Sequence, residues 1–340
     1  MKTLVIGDLH FDNKPYGLLE AQRDCIKRII QGEEVDHIIF LGDLMMHRKP
    51  YPRVLLALKD VIDFAATRAE VTIIRGNHDS ENKSDDGVTA LSLLEKSAFP
   101  SDKINRVRVI TQTLYDHLNT HAYIPHYEDE SKIQEALKHV PKGFTVFGHF
   151  GYCGSLNSAG DADFNLSLSD FKHPTFLGHI HRHSINGPVT LLGTPYSTNF
   201  SEHLKENLYA IIDKDSVQYH PITFGPRHLV VEYENVEENL DWINDDKYFT
   251  LLRIVINTLD EDQDKMSDLM DKLDVGYVEV KYKPVADEKL PISTLDPDNP
   301  VTEVSESLIE DYINSSTTKL GKEKLYEGLQ LIYENQQNRD

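Results

Sequence analysis

TLVIGDLH, residues 3–10, joins an apolar run of strand length to a glycine, a carboxylate and an imidazole. A short apolar run ending at a glycine reads as a buried strand of a helix-covered sheet. The pattern recurs: HIIF at 37–40 leads into LGDLMMH at 41–47, and VTII at 71–74 leads into RGNHD at 75–79. Between these runs, Leu18–Ile30 and Arg53–Arg68 carry apolar residues at helical spacing, Leu55, Leu58, Ile62 and Ala65 among them. Strand, helix and strand in that order are β-α-β architecture, so the fold class is α/β.

From about Val107 to Phe224 the runs become strand-rich, with FTVFGH (144–149), TFLGH (175–179), TLLG (190–193) and LYAII (208–212). YFTLLRIVIN (248–257) reads as a strand, DQDKMSDLMDKL (262–273) as a short amphipathic helix and VGYVEVKYKP (275–284) as another strand, together a small β-α-β appendage. PISTLDPDNPV (291–301), with three prolines, reads as a linker. Beyond it, Leu308, Ile309, Tyr312, Ile313, Leu320, Leu325, Leu329 and Ile332 keep helical spacing, broken near Gly321, as expected of two short docking helices. The expected organisation is a domain over 1–224, a small α+β domain over 225–290, a linker over 291–302 and a helical segment over 303–340.

Composition excludes several classes. Of the 340 residues 39% are hydrophobic and 27% charged, as in a globular protein. No apolar run approaches the ~20 residues that span a bilayer, and no signal peptide is readable, so no membrane association and a cytoplasmic location are expected. Two cysteines are too few for a disulfide framework. The net charge of -21 is uneven: residues 1–224 hold 29 acids and 23 bases, residues 225–340 hold 27 and 12. Taken alone, that acidity argues against a nucleic-acid surface, because phosphate backbones select for Lys and Arg.

The loops after the strands carry the chemistry. Ligands of open α/β sheets bind beyond the carboxyl ends of strands, so GDLH, LGDLMMH, RGNHD, FGHF and LGHIH are placed to converge on one crevice. They bring Asp8, His10, Asp43, Asn77, His149, His179 and His181, hard and borderline metal ligands. Seven groups exceed one ordinary coordination sphere and suit two ions sharing a carboxylate. His179 and His181 are two apart, and in an extended segment such residues face the same way. His183 is expected in solvent.

These loops, in this order, resemble the calcineurin-like metallophosphoesterase superfamily, whose signature is D-x-H, G-D, G-N-H-[DE], G-H and G-H-x-H. The resemblance covers residues 1–224 and implies a β-sandwich with helices on both outer faces. It implies one ion held by Asp8, His10, Asp43 and His181, a second by Asp43, Asn77, His149 and His179, and His78 as the catalytic residue over the site. The oxygen and imidazole set suits two divalent ions, manganese first, with magnesium, iron or zinc as alternatives. The phosphoprotein phosphatase branch is the less similar one, since GDLMMHRKP lacks its Asp-Arg-Gly.

Within the superfamily the chain is similar to the SbcD-type and meiotic-recombination nucleases, and in length to the small nuclease subunit of phage recombination endonucleases. GTPYSTNFSE (193–202) resembles their segment after the last histidines, and 225–290 resembles their DNA-positioning capping domain. The resemblance implies a Mn-dependent DNA exonuclease and endonuclease acting in repair, recombination or replication. It also implies an SbcC-like coiled-coil ATPase docked through the C-terminal helices, and a homodimer within a heterotetramer. Where many members place a His or Asp three residues after the bridging Asp, this chain has Met46, with His47 next as a substrate-binding candidate. The competing readings are a phosphodiesterase or phosphatase on a small nucleotide, and a non-catalytic scaffold, which would have to lose ligands this chain keeps.

Overall fold

The computed structural model describes residues 1–95, 106–155, 164–214, 216–256 and 263–282. The linker at 291–302 and the docking helices expected at 303–340 lie outside them. Chain order begins β1 (Lys2–Ile6), α1 (Leu18–Gly32), β2 (His37–Phe40), α2 (Pro52–Ala66), β3 (Glu70–Ile74) and β4 (Val107–Ile110). It continues with β5 (Leu114–Asp116), β6 (His121–Ile124), α3 (Glu130–Lys138), β7 (Thr145–His149), β8 (Thr175–Gly178), β9 (Ser184–Asn186) and β10 (Val189–Leu191). Then come β11 (Leu208–Asp213), β12 (Ser216–Pro221), β13 (Gly225–Glu232), α4 (Leu240–Ile243), β14 (Tyr248–Ile256), α5 (Gln263–Met270) and β15 (Tyr277–Tyr282).

Two six-stranded mixed sheets form the body, in the orders β12-β11-β1-β2-β3-β4 and β5-β6-β7-β8-β10-β9. Strands β1 to β4 are mutually parallel, as are β6, β7, β8 and β10, while β11, β12, β5 and β9 pair antiparallel. The two-residue period of a strand sorts its side chains between two apolar layers. Leu4 and Ile6 of β1, with Ile38 and Phe40 of β2, face α1 and α2, where they meet Ile26, Ile30, Leu58 and Ile62. Their neighbours Val5 and Ile39 face the other way and join Tyr123, Phe147 and Phe176 between the sheets. On the second sheet Val146 and Leu177 share a cluster with Ile133 and Leu137 of α3. Both faces of these strands are apolar because both are covered, which is why the runs read as continuous rather than alternating. The result is a mixed α/β architecture of two large sheets with few helices.

The third sheet is all parallel, β13-β14-β15, with β14 in the middle. The sequence reading expected two strands around a helix here and did not identify β13, whose GPRHLVVE begins Gly-Pro and has a histidine at its fourth position. It pairs β14 over its whole length. It also ties the sheet to the body, because the His228 N–H donates to Ser197 Oγ at 2.7 Å and Gly225 lies against Cys25 of α1.

Candidate metal centre

The loops following β1, β2, β3, β7 and β8 meet at one place. Asp8, His10, Asp43 and His149 are buried there, at 2% exposure or less. Donor atoms of Asp8, His10 and His181 lie within 4.8 Å of one another, as do those of Asp43, His149 and His179, and those of His10, Asp43 and His78. Asp43 Oδ2 stands between the groups, 3.7 Å from His10 Nε2 and 3.3 Å from His149 Nε2. His10 Nε2 and His181 Nε2 are 3.0 Å apart. Asn77 Oδ1 is 3.1 Å from His149 Nε2 and 2.9 Å from His179 Nδ1. All seven candidate ligands therefore lie together at the ends of these strands, with His78 among them.

Local backbone makes the convergence. Gly42 has φ +106°, a conformation glycine adopts without a Cβ penalty, and it turns the chain so that Asp43 faces inward. His10, Asp43 and His179 themselves adopt positive φ, at 44°, 46° and 77°. His179 and His181 consequently do not converge by strand alternation: β8 ends at Gly178, and the left-handed His179 sends the two imidazoles to different groups. His183 is half-buried rather than in solvent, donating from Nδ1 to the Leu191 carbonyl and lying beside Tyr219.

Electrostatics suit cations. Burial drives the pKa of His10 and of His179 down to about 3, so both imidazoles are neutral near pH 7, the form that ligates metal. Burial works against the His149 imidazolium, but Asp43 and Asp8 outweigh it and push its pKa up to about 9. Burial, with some repulsion from Asp43, raises Asp8. Burial also opposes the Asp43 carboxylate, yet His149, His10 and His78 hold it well below the usual carboxylate range. Asp8 Oδ1 is buried and accepts no hydrogen bond among the described residues, with His149 Nδ1 as an ionic neighbour 3.5 Å away. A buried carboxylate oxygen left without a donor is costly unless a cation takes the place of one. The residues present thus fit a pair of divalent cations.

His78 sits beside the cluster. Its backbone N–H donates to Asp43 Oδ1 at 2.8 Å, its Nδ1 donates to the Met46 carbonyl at 2.5 Å, and its ring stands edge-on to His10. With Nδ1 bound to Met46, Nε2 is the ring nitrogen left for other partners. His47 is 62% exposed and stands 4.0 Å from Asp12, which lines a cleft together with His10 and Met46. The position before it contributes the Met46 carbonyl instead.

Several supporting residues were not singled out from sequence. Asp79 accepts from the N–H groups of Leu44, Met45 and Gly76, fastening the second and third loops together. Glu202 Oε1 lies 2.6 Å from His181 Nδ1. Burial works against the Glu202 carboxylate, but its hydrogen bond with His181 and the nearby Lys205 hold its pKa at about 2. The Leu41 carbonyl accepts from His149 Nδ1 at 2.7 Å. His126 stacks over His179. Asp79 and Glu202 fell within quoted motifs, GNHD and GTPYSTNFSE, and that was their available signal. A backbone carbonyl partner carries none. Beside His10 a cleft of about 530 Å³ opens, lined by Lys14, Thr198, Asn199, Phe200 and, from the third sheet, Leu251 and Tyr277.

A family model described as calcineurin-like phosphoesterase matches residues 1–183. No curated protein matches. Among solved structures, the crystal structure of Pseudomonas putida nuclease MPE is similar at 17% identity, over 64% of this chain and 87% of that one, with a TM-score of 0.30. No helix among the described residues is long and apolar enough to cross a membrane.

Proposed function

The chain belongs to the calcineurin-like phosphoesterase family, whose members use divalent metals, and we propose that within it this protein is a metal-dependent DNA nuclease. One observation carries the reading: seven oxygen and imidazole donors converge around Asp43, whose Oδ2 stands between His10 and His149, with His78 alongside. Asp8, His10, Asp43 and His181 would hold one cation and Asp43, Asn77, His149 and His179 the other. Manganese is the proposed metal, on the hardness of this mixed set. Such a pair supplies an activated water and neutralises phosphoryl charge when bound. The chain's own residues do the rest. Asp43 fixes the spacing of the two groups. His78, anchored through Nδ1 to Met46, would in its doubly protonated form give its Nε2 proton to the leaving oxygen and return to the neutral Nδ1–H ring. The cleft beside His10, with Lys14 and Tyr277 on its walls, receives the nucleoside next to the scissile phosphate.

The proposed partner is an SbcC-like coiled-coil ATPase engaged through residues 303–340, with a homodimer of this chain in the assembly and a role in repair, recombination or replication. Such a partner would supply the cationic DNA surface that a chain of net charge -21 lacks. That same charge favours a second reading, a small nucleotide diester as substrate, because a short ligand needs no extended basic surface. The test is loss of end label from linear duplex DNA with Mn2+, compared between wild type and His78→Ala, beside cleavage of a chromogenic phosphodiester. Loss of label in wild type, reduced on the order of 100-fold or more in the variant, supports the nuclease. Diester cleavage with intact DNA, with and without the ATPase, would favour the small substrate.

A further inference from the structure

We propose that Glu202 is a positioning residue that prepares one of the two metal positions, the one at Asp8, His10 and His181, and leaves the other unaffected. This rests on the two-cation reading of the site but not on the identity of the phosphoester substrate.

The two histidine-bearing groups are supported differently from behind. His149 donates its Nδ1 proton to a neutral backbone carbonyl, that of Leu41. His181 donates its own to a carboxylate, Glu202 Oε1, at 2.6 Å. In each case the Nδ1 bond turns Nε2 toward the cluster. The carboxylate also fixes the orientation of the ring, as an oriented anion behind an imidazole does in metal sites. His10 has no equivalent support: its Nδ1 is buried without a hydrogen-bond partner among the described residues. Of the two histidines in the Asp8, His10 and His181 group, then, only His181 has its Nδ1 held by a side chain.

Glu202 is itself rigidly held, which is what a positioning role requires. Its Oε2 accepts from the Thr198 N–H at 2.8 Å and from Lys205 Nζ at 3.4 Å. Its Oε1 also accepts from Thr198 Oγ1 at 3.0 Å and Asn199 Nδ2 at 3.2 Å. The loop carrying these donors is fastened at Ser197, which accepts the His228 N–H of β13, and at Phe200, over which Arg253 of β14 stacks. Lys205 is pinned from its other side by Thr194 Oγ1 at 2.7 Å. So many contacts converge on one acid, which touches no member of the Asn77, His149 and His179 group.

The test is calorimetric titration of the metal-free full chain with Mn2+ for wild type, Glu202→Ala and Glu202→Gln, with thermal melts in EDTA to compare the folds. Wild type is expected to bind two ions. Glu202→Ala should weaken one of the two positions by about 10- to 100-fold and leave the other within about twofold. Glu202→Gln keeps an oxygen to accept the His181 proton and should recover part of that loss. Equal weakening of both positions, no weakening of either, or a Gln variant no better than the Ala variant would overturn the assignment. If Glu202→Ala melts far below wild type, the Gln variant alone decides, and it must still affect one position only. Failure of wild type to bind Mn2+ at all would instead sink the two-cation reading itself.

Discussion

Replacing Gly76 by alanine should disable the centre while leaving the fold standing. A Cβ at residue 76 would lie 2.1 Å from Asp43 Oδ1, 2.4 Å from the Asp43 backbone nitrogen and 2.8 Å from Asp43 Cγ. Ordinary carbon–oxygen contact needs about 1 Å more than the first of these, so Asp43 must move by about that much or the loop after β3 must retreat. Overpacking of this kind costs about 1–3 kcal/mol, a tolerable part of the roughly 5–15 kcal/mol typical of a domain. The functional cost is larger, because the carboxylate displaced is the one between both groups of donors, and a misplacement of about 1 Å reduces rate on the order of 100-fold. The displacement also breaks the hydrogen bond by which the His78 N–H is held to Asp43 Oδ1. Gly32→Ala provides the control, since an alanine Cβ there meets nothing within 4 Å at the end of α1 and should be neutral or stabilising by up to about 1 kcal/mol. The assay is Mn2+ titration and phosphodiester turnover beside a thermal melt in EDTA. A Gly76→Ala protein that binds two ions with wild-type affinity and turns over normally would refute the steric argument.

Metal should stabilise the native state by linkage. At 100 times the dissociation constant each bound ion adds about 2.7 kcal/mol. With a gain of roughly 2–4 °C per kcal/mol for a chain of this size, a pair should raise Tm by about 10–20 °C, reversed by EDTA. Unchanged melts across a Mn2+ series would contradict this. Stability should also fall with acid through a pair remote from the centre: His37, whose Nε2 bonds Thr72 Oγ1, stacks on His121 in the body of the sandwich. Burial lowers both to about 4, against about 6.5 unfolded. The folded state therefore binds fewer protons between those values. The contribution is intact above pH 6.5 and is lost as pH falls towards 4, by up to about 3 kcal/mol for each histidine. Urea melts from pH 7 to 4 should show this slope diminished in His37→Asn; an identical slope would remove the pair as its cause.

How much of this was legible in the sequence follows from what each feature depends on. HIIF at 37–40 coincides with β2, and the strands at 3–6 and 71–74 differ from β1 and β3 by one residue, because a buried parallel strand is an uninterrupted apolar run that must end where the glycine turns. The donor loops were readable for a related reason: the residue types are specific, and their placement after strands fixes the end of the sheet on which they meet. Strand β13 was not readable, since Gly225, Pro226 and His228 disguise an element held by its partner β14 and by Ser197 rather than by its own pattern. The paired positions of His179 and His181 gave a correct convergence for a wrong reason, because alternation requires extended backbone and His179 has φ 77°. Support through main-chain carbonyls, Leu41 under His149 and Met46 under His78, leaves no residue-type signal.

The positive dihedrals carry an argument of their own. Non-glycine residues seldom adopt φ near +45° or +77°, and each such conformation costs of the order of 1–3 kcal/mol. Three of the seven donor residues do so, His10, Asp43 and His179. Such strain persists only where surroundings over-determine it, and here the loops clasp one another in series. The His10 N–H donates to the Asp43 carbonyl at 2.9 Å, and the His179 N–H to Asp8 Oδ2 at 2.8 Å. Asp79 gathers the N–H groups of Leu44, Met45 and Gly76 at 3.0, 3.2 and 3.0 Å. The first loop is thereby fixed to the second, the second to the third, and the last back to the first. Glycine takes such a conformation without a Cβ penalty, as it does at Gly42 next to Asp43. Keeping a histidine or an aspartate there instead sets backbone energy against the side chain. Asp85, Thr120, Leu204 and Lys214 also hold positive φ, so the strain marks the centre only where it coincides with the donor side chains, at His10, Asp43 and His179.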